Sequence, residues 1–95
     1  LEEFNAAVAN GKLPEDAGRA FSAMWHDSRG DWESAHTDAQ AIEDDTGAWI
    51  HAYLHRVEGD LSNAAYWYRR AGRPVCEDTL EAEKSTILAY LMEGD

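Results

Sequence analysis

Apolar residues recur every three or four positions along most of this chain, and glycine or proline punctuates the runs. That period belongs to helices burying one face, and no stretch alternates apolar with polar residues as a half-buried strand would. Phe4 and Val8 predict a short helix over residues 2–10, stopped by Gly11. Pro14 suits a helix's first turn, where its missing N–H would be unpaired anyway, and Glu15 and Asp16 complement the positive end of the dipole, so a second helix is expected over 14–28. Trp32, Ala35, Ala39 and Ile42 share one face of a helix over 31–43, and Leu61, Ala64, Tyr68 and Ala71 one face of another over 60–72. Between them lies a helix over 46–58. Pro74 breaks the chain, after which Asp78 and Glu81 suit the capping box of a closing helix over 77–93, with Leu80, Ile87, Leu88 and Leu91 on its apolar side and Gly94 at its end.

The pattern is duplicated. Aligning residues 16–43 with 45–72, at an offset of 29, sets seven identical residues opposite one another, where composition alone would give roughly two. Asp16, Gly18, Ala23, His26, Gly30, Asp31 and Ala35 correspond to Asp45, Gly47, Ala52, His55, Gly59, Asp60 and Ala64. Each Gly-Asp pair predicts the same turn, in which glycine takes a left-handed backbone and aspartate caps the next helix. The expected architecture is all-α: two helix-turn-helix repeats over about 14–43 and 45–72, flanked by an N-terminal and a C-terminal helix, as one domain over 1–95.

Residues 45–74, and above all the run Ala64-Ala65-Tyr66-Trp67-Tyr68-Arg69-Arg70-Ala71, resemble a tetratricopeptide-like repeat of the Sel-one-like branch. Gly59 matches the turn, Ala64, Tyr68 and Ala71 the packing face, and Pro74 the repeat end. Ala48, His51, Ala52 and His55 stand where the family has Trp, Leu, Gly and Tyr. The resemblance implies a short α-α superhelix whose first helices line a surface that holds a peptide or a partner's helix.

Charge narrows the partner. Nineteen acidic against eight basic residues give a net charge of -11, which repels phosphate backbones and favours a basic or amphipathic protein segment over nucleic acid. No apolar run reaches the ~20 residues of a membrane span, and none reads as a signal peptide. The single Cys76 has no internal partner and no zinc-finger spacing around it, in keeping with a reducing, cytoplasmic location.

Two sets of residues carry candidate chemistry. Trp49, His51, Tyr53 and Arg56 on one helix, with Trp67 and Arg70 on the next, are types that anchor interfaces and form the expected partner-binding set. Trp49 or Trp67 could equally pair two copies of the chain. His51 and His55 stand four apart on one helix face, a spacing that lets two imidazoles share a divalent ion; His26, the repeat equivalent of His55, is the third candidate ligand, and His36 lies on the intervening helix. Asp27 and Glu58 are placed to complete such a site. Histidines packed or hydrogen-bonded among helices would share that spacing. No nucleophile elbow, phosphate-binding glycine loop or HExxH string is present, so neither an enzyme nor a bound cofactor is expected. The leading expectation is a protein-interaction module; the alternative is a histidine-based metal-binding protein or small metal-dependent enzyme.

Overall fold

A computed structural model describes residues 2–93, and over them the chain forms six α-helices and no strand. These are α1 (Glu2–Asn10), α2 (Arg19–Ser28), α3 (Trp32–Gln40), α4 (Asp45–Glu58), α5 (Leu61–Ala71) and α6 (Leu80–Glu93). Helices α2 and α3 pair, α4 and α5 pair, and the two hairpins pack through α3 and α2 on α4, as two stacked helix-turn-helix units do. The expected end of α6 at Gly94 lies outside the described residues.

The duplicated string encodes one turn twice. Gly30 and Gly59 sit at φ of 81° and 87°, a left-handed conformation that a Cβ penalises. The amides of Asp31 and Asp60 then donate to the carbonyls of His26 and His55, at 2.9 and 2.8 Å, closing the preceding helix. Their side chains in turn accept from the amides of Ser34 and Asn63, at 3.1 and 3.2 Å, opening the next. Gly59→Val is expected to cost about 1–3 kcal/mol because valine is strained at positive φ; urea unfolding measures it, and an unchanged midpoint would remove the argument.

Several boundaries differ from the sequence expectation. Helix α2 begins at Arg19, not Pro14: the Ala17 amide reaches the Pro14 carbonyl in a single turn, and Gly18 is extended, at φ −74° and ψ 171°, so no helix passes through it. Helix α3 ends at Gln40, and Ile42 folds back against Gly47, where a Cβ would overlap the Ile42 carbonyl and side chain. The aligned glycines Gly18 and Gly47 therefore do different work, one opening a helix and the other permitting a close approach. Asp44 caps α4 by accepting from the amides of Thr46 and Gly47. Helix α6 starts at Leu80 with the Thr79 hydroxyl accepting from the Ala82 amide, so Thr79 replaces Asp78 as its cap.

Phe4, Met24, Ile50, Leu54, Tyr68 and Ile87 fill the core, and Ala23, Ala35, Ala39, Ala52 and Ala64 let the helices approach closely around α4. From Gly47 to His55 every residue of α4 is buried, because α3, α5, α2 and α6 all pack on it. Two expected core positions face outward. Leu61 is 67% exposed, since α6 packs on α4 and α2 and leaves the first turn of α5 uncovered, and Leu80 is exposed at the mouth of α6. No helix is long and apolar enough to cross a membrane among the described residues.

Candidate functional site

On one side of α4, three histidines converge. His51 and His55, one turn apart, stack at 4.9 Å, and His36 of α3 meets them edge-on at 4.4 and 5.5 Å between ring centroids. One ring nitrogen of each lies within 4.8 Å of the other two. Two indoles bracket the group: Trp32 stacks on His36 at 4.7 Å, and Trp67 of α5 stacks on His51 at 3.8 Å with the planes 10° apart. The Trp32 indole N–H donates to the Leu54 carbonyl at 2.7 Å, fixing the outer ring to α4. His51 and His55 are buried and His36 half-buried.

Burial and crowding disfavour the charged forms of His51 and His36. Burial, then His36 and His55 beside it, push His51 down to about 4, and burial with His55 lowers His36. Glu58, one turn beyond His55, lies 2.8 Å from its Nδ1. In a neutral ring, a carboxylate at that distance favours the proton on Nδ1, which leaves Nε2 as the lone-pair nitrogen. Three imidazoles, one of them beside a carboxylate, can share a soft or borderline divalent cation.

Of the three histidines named from sequence, the structure brings His51 and His55 together. His26 is outside the group; its nitrogens lie 3.9 Å from carboxylate oxygens of Asp31 and Asp38. His26 sits in the last turn of α2, facing Asp31 and Asp38, whereas α3 packs on α4 and brings His36 to His51 and His55. His36 takes its place. Asp27 does not join either; it accepts from the Tyr53 hydroxyl at 3.0 Å, and burial raises its pKa.

The structure divides the expected partner-binding residues between interior and surface. Trp49, His51 and Tyr53 are at most 5% exposed and Arg56 is held in an ion pair: α6 packs on α4 and α2 and covers Trp49 and Arg56, while His51 lies against His36 of α3 and Trp67 of α5. Trp49 donates its indole N–H to Glu83 at 3.1 Å and carries the Arg73 guanidinium 3.5 Å above its ring. Only Trp67, half-buried, and Arg70, exposed over Trp67 at 5.2 Å, remain near the surface.

Glu83 is the residue that sequence reading missed. It is 3% exposed and accepts from Arg56 at 2.6 Å, from Trp49, and from the Tyr68 hydroxyl at 2.6 Å, joining α4, α5 and α6. The signal was present: Glu83 falls on the apolar stripe of α6, between Leu80 and Ile87. Comparison of the chain with family models, curated proteins and solved structures gives no match.

Proposed function

We propose that this protein binds one divalent transition-metal ion through His36, His51 and His55. The observation that carries the reading is the convergence of three imidazole nitrogens within 4.8 Å on two packed helices. Imidazole donors favour zinc, copper or nickel over magnesium or calcium, which take oxygen. Burial disfavours protonation of His36 and His51, so these two rings release few protons on binding. Because the ion binds the folded chain, it stabilises it by about 2.7 kcal/mol at a free concentration one hundred times Kd. Tag-free, chelator-stripped protein is expected to take up one equivalent of zinc, with a raised Tm and altered emission from Trp32 and Trp67. A His51→Ala variant is expected to lose all three responses. Uptake no greater in the parent than in that variant would refute the proposal.

A second reading, partner binding, has its own observation. Leu61, Tyr66 and Arg70 are exposed on α5, with Arg70 donating to the Tyr66 hydroxyl at 3.1 Å and lying over Trp67. Leu61 is the repeat counterpart of Trp32, which α4 covers, so α5 presents the edge on which a further helix would stack. The resemblance to interaction repeats supports this. Arg69 and Arg70 suit an acidic segment there, and in a chain of net charge -11 a second copy supplies one. Light scattering over a concentration series is expected to show salt-sensitive dimerisation that Arg70→Glu abolishes; a monomer at all concentrations would count against self-association.

A further inference from the structure

The coordination number of the histidine centre follows from a census of the donors around it. Three imidazoles supply three ligands, and a divalent ion in a protein takes at least four. The nearby carboxylates are otherwise engaged. Glu58 accepts from His55 Nδ1, at 2.8 Å. Asp60 accepts from the Asn63 amide with one oxygen and from the Asn63 side chain with the other. Asp44 accepts from the Thr46 and Gly47 amides at the start of α4. Cys76 lines a different cavity, with Trp49, Tyr68 and Glu83. A second grouping, His55 with Glu58 and Asp60, competes for the same imidazole, but it consists of carboxylates already committed to the ring and to the α5 cap. No fourth protein donor meets all three histidines among the described residues.

Charge points the same way. Imidazole ligands bring no negative charge, so the ion beside the Trp32 and Trp67 rings keeps its double positive charge and attracts an anion. From these observations we infer that the metal centre keeps an open coordination position that takes an exchangeable small anion or water, with Glu58 as a positioning residue for His55 and not a ligand. This rests on the metal reading above. The exchange is simple: the bound water leaves and a monodentate anion donates its lone pair in its place, with no bond made or broken elsewhere.

Cobalt(II) as the metal and azide as the anion test it. The chelator-stripped chain is loaded with one equivalent of cobalt, and its visible absorption is followed as azide is added. The expected result is a saturable shift of the cobalt bands with azide. Glu58→Gln, which preserves shape on a half-exposed side chain, is expected to show the same azide response and a cobalt affinity lowered about 10- to 100-fold, as when a carboxylate behind a ligating histidine is lost. Cobalt held firmly but with bands indifferent to azide would overturn the open position while leaving metal binding in place. An azide response that appears only in Glu58→Gln would show that Glu58 closes the site as a fourth ligand, overturning the inference. Failure to retain cobalt, with His51→Ala indistinguishable from the parent, would instead remove the metal reading itself.

Discussion

Glu83→Ala is expected to destabilise the chain by about 3–5 kcal/mol, the typical result of removing one partner of a buried ion pair. The carboxylate is 3% exposed and satisfies three donors on two other helices: the Arg56 guanidinium, the Tyr68 hydroxyl and the Trp49 indole N–H. Alanine leaves all three without an acceptor, and the Arg56 charge, whose side chain is only 14% exposed, without a counter-ion. Arg56 also donates to the Asp78 carbonyl at 2.6 Å, so the link between α4 and the entry to α6 weakens together with the pair. Domains of this size are stable by roughly 5–15 kcal/mol, and the loss is therefore a large part of the whole. Urea unfolding of the variant measures it. The double variant Glu83→Leu, Arg56→Met is expected to recover only the part of the loss due to the unpaired Arg56 charge, since the buried Tyr68 hydroxyl and Trp49 indole N–H still lack the acceptor that Glu83 supplied. A single-variant loss below about 1 kcal/mol would show that the pair is solvated, as surface pairs are.

How much of this was legible in the sequence depended on whether the determinant was local. The turns at Gly30-Asp31 and Gly59-Asp60 were readable because one glycine dihedral and one carboxylate cap fix them, whatever packs above. The number and order of helices followed from periodicity for the same reason. Helix starts were less readable: Pro14 permits a first turn, but Gly18 is extended four residues later, and nothing in the local string marks which of the two prevails. Surface and interior were least readable where they depend on distant packing. Trp49 and Tyr53 read as contact residues because nothing in the repeat shows that α6 packs on α2 and α4. The histidine pair His51 and His55 was visible from its spacing, whereas the choice of His36 over His26 depended on how α3 crosses α4, a tertiary fact.

The metal-free protein is expected to lose about 3 kcal/mol of stability as the pH falls from about 6.5 to about 4, from His51 alone. In the unfolded chain a histidine titrates near 6.5. In the fold, burial with His36 and His55 alongside pushes His51 down to about 4. Above the first value the ring is neutral in both states and contributes no pH dependence. Between the two values the unfolded chain binds a proton that the folded chain refuses, so each pH unit favours unfolding by about 1.4 kcal/mol. Below the second value both states are protonated and the loss stops growing. His36, also lowered by burial and by His55, adds to the loss with the same sign. Asp27 acts the other way: burial raises its pKa, so the cost of its buried charge is relieved as acid is added. The groups facing His51 are His36 from α3, His55 on its own helix and Trp67 from α5, with Glu43, Asp44, Asp45 and Arg70 around the adjoining cavity of about 230 Å³. Urea unfolding in the presence of a chelator, at several pH values across this window, measures the slope. A His51→Gln variant, which keeps a flat polar group against Trp67 but cannot titrate, is expected to flatten it. Equal slopes in parent and variant would show that His51 takes up its proton in the fold as readily as in the unfolded chain, and that its packing does not disfavour the charged ring.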